Sequence, residues 1–373
     1  MTGIFKWRNS HISRSRNTLH RIDSQTQGKT SLAITSFPSL HTILAQACLG
    51  VLLRLDDHIT RRNAKDTPLG NYAAEHWVDH ARFKDVSPRV QDAVEVFLDG
   101  DKPHHAACLR LHRIDEGATW HRLTGDDMPR GTPLYYASYY GFCDLAKHLA
   151  AKHPEHVNAR GGRLVSPLGA ALYRNHFEVA ELLHEHGADI NVRGKGGWML
   201  LHMASRQGRV DTVRWLLNHG ADADAQKDNR WTPLHLASWN SELEIIQMLL
   251  EHNADIHLQN DKGRAVLHLA VVPPAWHYRL HSDINILRLL LDQGADVNVT
   301  DNEGSAPLHF LSLKRNGGHI TGKRSVEGAR LLLEYGASVD AENNKGETPF
   351  QVALEEGHHE MVEFLWGLGT KYP

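Results

Sequence analysis

The stretch from Thr232 to Asp255, TPLHLASWNSELEIIQMLLEHNAD, decides the fold because its chemistry recurs along the chain. A threonine at a helix N-cap accepts a hydrogen bond from a backbone amide of the first turn, and proline fits the next position because its fixed φ is helical. Ile246, Leu249 and Leu250 lie at helical spacing and describe a second helix. Asn253 ends it, since asparagine and glycine accept the left-handed conformation found there. The stretch predicts two short helices joined by a turn.

The same unit recurs at a nearly fixed interval. The apolar residue after the proline position stands at 134, 168, 201, 234, 267, 308 and 350, so the intervals are 34, 33, 33, 33, 41 and 42 residues. A second marker, Gly-Ala-Asp or a close variant, begins at 187, 220, 253, 294 and 336. The polar residues between one unit and the next suit a protruding hairpin. We therefore predict an all-α solenoid with short β-hairpin fingers.

The units resemble ankyrin repeats, seven of them between residues 127 and 370. This resemblance implies L-shaped units stacked into a curved solenoid, with a concave face of inner helices and fingers that binds other macromolecules. It also implies that the chain is not an enzyme and needs no cofactor. The two longer intervals are expected to enlarge the turn between the helices of the fifth and sixth units, which leaves the stacking undisturbed.

Several positions depart from the family pattern. Met199, Ala265 and Ala306 lack the capping hydroxyl, an omission that typically costs about 1 kcal/mol per helix. Arg230 stands where other units place a turn glycine, so either that finger uses another turn or a non-glycine residue is strained there. His184 replaces a leucine that other units conserve in their second helix.

Residues 37–126 lack the period and are predicted to form a helical segment ahead of the array. The phrases HTILAQACLGVLLRLDDHI (41–59), PLGNYAAEHWVDHARF (68–83) and VQDAVEVFLDGDKPHHAA (90–107) resemble the helical segment that follows the NTPase module in fungal NACHT–ankyrin proteins, relatives of NOD-like receptors. Such a parent implies a phosphate-binding loop upstream. Gly28-Lys29-Thr30 mimics only the end of that loop, because Asp23 holds the place of its first glycine.

Composition excludes several classes of protein. The 41 Lys and Arg against 44 Asp and Glu argue against a nucleic-acid partner, and no apolar run is long enough for a membrane span. Three widely separated cysteines indicate a reducing compartment, so a cytoplasmic location is expected. Residues 1–36 are polar and basic and are predicted to be disordered, with a transit peptide as the alternative.

The 28 histidines do not predict a metal site. His76 and His80 could share a helix face, but the hydrolytic motif H-E-x-x-H needs glutamate where Trp77 stands. Equivalent histidines of successive units cannot converge on one ion, because packed helices lie about 8–10 Å apart. For His202, His235, His268 and His309, the family resemblance implies instead that each ring hydrogen-bonds locally and joins neighbouring units.

Candidate binding residues share equivalent places in successive units. One place, near the end of the first helix, is occupied by Tyr139, Tyr173, Arg206 and Trp239, and another, just before the cap, includes Trp198 and Trp231. Arg193 and Lys227 lie beside them in sequence. Large aromatic side chains and arginine are favoured at interface hot spots, so these eight residues are predicted to bind a partner. The alternative is that the tryptophans only cover a hydrophobic seam.

The leading hypothesis is a non-enzymatic scaffold that binds protein partners, with no small-molecule substrate. The alternative is the recognition end of a NACHT-type NTPase switch whose nucleotide-binding module is not in this chain. A metal-dependent hydrolase is a third hypothesis, and it would require bound zinc. The sequence does not name the partner, because this architecture fixes the shape of a face and not its target.

Overall fold

The computed structural model describes residues 40–55, 68–81, 87–99, 131–162, 164–271, 284–313 and 320–369. The predicted disordered segment, 1–36, and the predicted boundaries at 36/37, 126/127 and 370 lie outside these ranges. The loop-enlarging segments of the fifth and sixth units also fall largely outside them, at 272–283 and 314–319. These expectations stay predictions.

The described residues form short helices in a regular order. They are α1 (Leu40–Leu52), α2 (Pro68–Ala81), α3 (Ser87–Phe97), α4 (Pro133–Tyr140), α5 (Cys143–Lys152), α6 (Pro167–Tyr173), α7 (Phe177–Glu185), α8 (Leu200–Arg206), α9 (Val210–Asn218), α10 (Pro233–Trp239), α11 (Leu243–Glu251), α12 (Val266–Ala270), α13 (Ile284–Asp292), α14 (Pro307–Ser312), α15 (Ile320–Glu334), α16 (Pro349–Glu355) and α17 (His359–Trp366). From α4 onward they make seven consecutive pairs within the described ranges, each with a first and a second helix.

The caps of the first helices confirm the local prediction. Thr132 Oγ1 accepts a hydrogen bond from the amide of Tyr135 at 3.3 Å, and Thr232 Oγ1 accepts one from His235 at 3.3 Å. At the end of a second helix, Asn253 has φ 60°, the left-handed conformation expected there. Local cap chemistry therefore sets where these helices start and stop.

The pairs stack because each buries its apolar side on the next. The equivalent residues Leu201, Leu234 and Leu267 are 2%, 0% and 0% exposed, so they occupy matching buried places along the array. Helix α10 contacts both α8 and α12, and α11 contacts α13. Burial of apolar surface, at about 25 cal/mol per Å², supplies the favourable free energy of this stacking.

Arg209 joins the second pair to the third. Its guanidinium donates to the carbonyl oxygen of Tyr173 at 2.5 Å and to Asn175 Oδ1 at 2.6 Å. Its carbon Cζ also lies 5.1 Å from the centre of the Tyr173 ring. One side chain thereby satisfies the carbonyl end of α6 and links it to the start of α9.

The N-terminal helices continue the core of the array. The fully buried indole of Trp77 in α2 lies with its ring centre 5.0 Å from Phe97, 5.1 Å from Tyr140 and 5.6 Å from Phe142. Helix α3 also packs on α5. Helices α2 and α3 therefore cover the first pair of the array, and α1 packs on both of them.

Four buried histidines confirm that the fourth-place rings join neighbouring units. In each, Nδ1 accepts the N-cap amide of its own helix, so Nε2 carries the proton and donates to a carbonyl of the next finger. The Nε2 to oxygen distances are 3.0 Å from His202 to Trp231, 3.1 Å from His235 to Arg264, 3.0 Å from His268 to Ser305 and 3.1 Å from His309 to Glu347. Burial lowers the pKa of His202 and of His235 to about 4, and it lowers the pKa of His268 and of His309.

The fingers differ from the β-hairpins of the sequence prediction. No strand is formed in the described ranges, and the fingers are tight turns closed by two backbone hydrogen bonds, such as Gly263 N to Asn260 O and Asn260 N to Arg264 O, each at 3.0 Å. Successive fingers are also joined, as by Asn302 N to Lys262 O at 3.0 Å. Arg230 takes the same turn as the glycines, with φ 59° against 72° at Gly263, so the strained alternative is the correct one.

Candidate protein-interaction surface

Five of the eight predicted binding residues meet on α8, α10 and their fingers. We call this group the aromatic–basic patch: Trp198, Arg206, Lys227, Trp231 and Trp239. The Trp231 and Trp239 rings lie 5.7 Å apart between centres in an edge-to-face arrangement. They can meet because Trp231 precedes the cap of α10 and Trp239 is the last residue of that short helix.

The third indole of the patch lies between two cations. Arg206 Cζ lies 5.5 Å from the centre of the Trp198 ring, and Lys227 Nζ lies 4.9 Å from it. Lys227 Nζ is also 5.9 Å from the Trp231 ring. Cation–π attraction holds the lysine between the indoles of Trp198 and Trp231. Both rings are half-buried.

The charge of Lys227 is not neutralised by a bound carboxylate. Within the described ranges its ammonium makes one hydrogen bond, to the neutral Asn229 Oδ1 at 2.5 Å, and no ion pair. Burial is the main cause that lowers the pKa of Lys227, and the positive charge of Arg206 adds to it. Lys227 and Arg206 thus bring two positive charges to the patch, which the nearby carboxylates of Asp261 and Asp228 offset in part.

The other three predicted residues lie apart from these contacts. Tyr139 is buried, with only 4% of its surface exposed, and Arg174 Cζ lies 5.2 Å from the centre of its ring. Tyr173 is half-buried beneath Arg209. Arg193 is exposed and donates to the carbonyl oxygen of Gln226 at 3.3 Å, so it joins two successive fingers.

Sequence reasoning did not identify the arginines that cover these tyrosines. Arg174 and Arg209 fall at helix ends outside the two aligned places, so the repeat alignment gave them no role. The available signal was the spacing, since Arg174 stands 35 residues after Tyr139 and Arg209 stands 36 residues after Tyr173, slightly more than one unit in each case.

One group of side chains among the described ranges has the spacing of metal ligands. His153, Glu155 and His156 follow α5, and one ligand atom from each lies within 4.8 Å of the others. His153 Nδ1 is 3.3 Å from Glu155 Oε1, and the two imidazole rings are stacked with centres 4.9 Å apart. The three side chains are partly or fully exposed and share no contact with the aromatic–basic patch.

Within the part of the chain that the structure describes, every helix is too short or too polar to cross a membrane.

Comparison with known proteins places this architecture in context. The family model for ankyrin repeats matches residues 168–260, 201–301 and 275–372, which together span more than half of the 373 residues. Azaphilone pigments biosynthesis cluster protein L of Monascus ruber is 28% identical over 179 residues, covering 44% of this chain and 38% of that protein. Alpha-latrocrustotoxin-Lt1a of Latrodectus tredecimguttatus is 37% identical over 62 residues, covering 17% of this chain and 4% of the toxin. The chain thus spans well under half the length of either relative.

A solved ankyrin-repeat structure is similar to part of this chain. The ankyrin repeat domain of Bcl-3, described as a unique member of the IkappaB protein family, aligns with a TM-score of 0.53 and 27% identity. The alignment covers 63% of this chain and 98% of that domain.

Proposed function

The chain belongs to the ankyrin-repeat family, and on this premise we propose that it is a non-enzymatic scaffold that binds protein partners through the concave face of its first helices and fingers. Ankyrin repeats are general protein–protein interaction modules. The observation that carries the proposal is the aromatic–basic patch, in which the Lys227 ammonium lies beside the half-buried indoles of Trp198 and Trp231, and Trp239 packs on Trp231.

The patch has the physical character of an interface hot spot. Tryptophan supplies a large contact area with little conformational entropy to lose, and arginine donates several hydrogen bonds from a planar group. Trp198, Trp231 and Trp239 form the proposed centre, and Tyr173 and Arg193 form its rim. Because Tyr139 is buried, we assign it a supporting place beneath Arg174.

The positive charge selects the partner. A carboxylate placed beside Arg206 and Lys227 would gain charge-assisted hydrogen bonds while the surrounding indoles exclude water. We therefore propose an acidic segment of a protein as the group bound at the patch.

The test removes two indoles and compares the result with a matched removal elsewhere. The double variant Trp231→Ala/Trp239→Ala is expected to lose partners that the unmodified chain captures from a native extract. The control, Trp215→Ala/Trp366→Ala, removes two tryptophans from second helices and is expected to retain them. If the patch variant captures the same partners, or loses them only because its melting temperature falls steeply, the indoles cover a seam and do not bind.

A second proposal concerns the larger protein from which such a chain could derive. We propose that the array is the recognition end of a NACHT-type switch, supported by the resemblance of residues 41–107 to the post-NTPase segment and by a fungal relative. Sequencing of the full transcript tests it. A glycine-rich phosphate-binding loop encoded in frame upstream would support the proposal, and a stop codon directly upstream would refute it.

A further inference from the structure

The turn that follows α5 brings two histidines and a glutamate together. Helix α5 ends at Lys152, and a single 3₁₀ turn runs from Pro154 to His156. Side chains at i and i+3 of a 3₁₀ turn lie one above the other, so His153 and His156 share a side. Their rings are stacked, with centres 4.9 Å apart and planes inclined by 22°. The local backbone therefore places two imidazoles next to each other.

The carboxylate of Glu155 lies beside both imidazoles. Its Oε1 is 3.3 Å from His153 Nδ1 and 3.9 Å from His156 Nε2. A tetrahedral zinc ion with ligand bonds of about 2.0–2.1 Å has ligand atoms about 3.3–3.4 Å apart. One of the two separations already matches this value, and one ligand atom from each of the three residues lies within 4.8 Å of the others. Small rotations of these partly exposed side chains would bring all three atoms to that spacing.

Hydrogen bonding within the cluster accounts for only part of this arrangement. His153 Nδ1 and Glu155 Oε1 are close enough to share a hydrogen bond, whereas the 3.9 Å from His156 Nε2 is too long for one. His156 Nδ1 is buried and makes no hydrogen bond within the described ranges, so Nε2 is the nitrogen left for a ligand. Two protonated imidazoles would repel each other in this stack, whereas neutral rings can share a metal ion.

The surroundings of the cluster favour a cation. A hydrogen bond from its own backbone amide is the main cause that lowers the pKa of Glu155, and the neighbouring imidazoles add to it, so the side chain is a carboxylate at neutral pH. Within the described ranges Glu155 pairs with no lysine or arginine. Lys152 is directed elsewhere, with Nζ 2.7 Å from Glu95 Oε1 on α3. The carboxyl end of α5 also carries a partial negative charge.

We propose that His153, Glu155 and His156 bind a divalent transition-metal ion, with zinc as the expected occupant. Two imidazoles and a carboxylate suit zinc, whereas calcium and magnesium prefer oxygen ligands. Three protein ligands leave the fourth tetrahedral position to water. The inference does not depend on the proposed function, because the cluster shares no contact with the aromatic–basic patch.

A bound ion would fix the junction between the first and second units. Asn158, two residues after the site, donates through Nδ2 to the carbonyl oxygen of Gly187 at 2.9 Å, and its Oδ1 accepts the amide of Asp189 at 2.7 Å. Val157 between them is buried, which anchors the turn. Because the three ligands converge only when this turn is folded, zinc stabilises the folded chain by mass action and should raise its melting temperature.

The test is isothermal titration calorimetry of zinc chloride into the full chain after removal of metals with a chelator. The variant His153→Ala/His156→Ala loses two of the three ligands and should bind zinc at least tenfold more weakly. The control His186→Ala/His252→Ala removes two exposed histidines that follow other second helices and should leave the zinc affinity unchanged. Glu155→Gln keeps the size of the third ligand without its charge. It should weaken binding several-fold, and it provides an independent variant should the double substitution impair folding.

Cobalt(II) in place of zinc reports which atoms bind the metal. We expect the visible absorption of a four-coordinate site with nitrogen and oxygen ligands, and we expect it to be lost in His153→Ala/His156→Ala. A thiolate charge-transfer band would place the ion on one of the three cysteines and would overturn the assignment.

The calorimetric outcomes decide the proposal. Absence of zinc binding, or equal zinc affinity in the site variant and in the histidine control, would overturn the metal site. The patch variant Trp231→Ala/Trp239→Ala should bind zinc like the unmodified chain. If partner capture needs the patch while zinc does not bind at the turn, the metal site alone fails and the proposed function stands.

Discussion

Mild acid is predicted to destabilise the array through its buried histidines. His202 and His235 are fully buried, and each ring is held neutral because Nδ1 accepts an amide and Nε2 donates to a carbonyl. Protonating Nδ1 would break the first of these bonds and place a positive charge in the core. Burial accordingly lowers the pKa of both rings to about 4.

The sign and size follow from proton linkage. Unfolded histidine protonates near pH 6.5, so below that pH the unfolded chain binds protons that the folded chain does not, and stability falls as the pH falls. The loss develops between about pH 6.5 and pH 4. At pH 5, about 1.5 units below the unfolded pKa, each ring lowers the free energy of unfolding by about 2 kcal/mol. Each pKa unit contributes about 1.36 kcal/mol. The two rings together cost about 4 kcal/mol, a large share of the 5–15 kcal/mol that usually stabilises a domain.

The assay is urea unfolding followed by circular dichroism at pH 7.5 and pH 5, at constant ionic strength. The control is His235→Gln, because the equivalent Gln351 of the last unit already accepts the amide of Thr348 through Oε1 at 2.7 Å. Glutamine does not titrate. The drop in the free energy of unfolding from pH 7.5 to pH 5 should therefore be about 2 kcal/mol smaller in the variant than in the unmodified chain. An equal loss in both proteins would refute the role of the buried ring.

Three further substitutions test local features by thermal unfolding. Ala306→Thr should stabilise the chain by about 1 kcal/mol, because α14 lacks the side-chain cap that Thr232 gives α10; an unchanged melting temperature would refute the cap argument. Arg230→Gly should stabilise it by about 0.5–1 kcal/mol, since relief of the left-handed strain exceeds the added entropy of unfolded glycine; a lower melting temperature would show that the arginine contacts matter more. His184→Leu should stabilise it by about 1 kcal/mol by removing the buried Nδ1 that has no hydrogen-bond partner; destabilisation would show that the ring contact with Trp215 dominates.

The repeat architecture could be predicted because its signals are local. Thr232 and Asn253 act through bonds and backbone angles within one helix end, so their effect does not depend on the rest of the chain. That His235 joins two units could be predicted only from the family resemblance, because its second hydrogen-bond partner, the carbonyl of Arg264, lies in the next unit.

The accessible surface could not be predicted in full. Tyr139 and Trp239 occupy equivalent places, yet the first is buried, with Arg174 over its ring, and the second is half-buried. The exposure of a side chain depends on which residues the neighbouring unit places over it. Alignment by period does not show this, because it treats all units as equivalent.

Binding at the first helices and fingers is tested most directly by photo-cross-linking. Benzoylphenylalanine replaces Trp239 in one variant and Trp215, an equally half-buried residue of a second helix, in the other. After irradiation in a native extract, we expect one protein to be cross-linked from position 239 and not from position 215. Cross-links that form equally from both positions, or only from position 215, would contradict binding at this face.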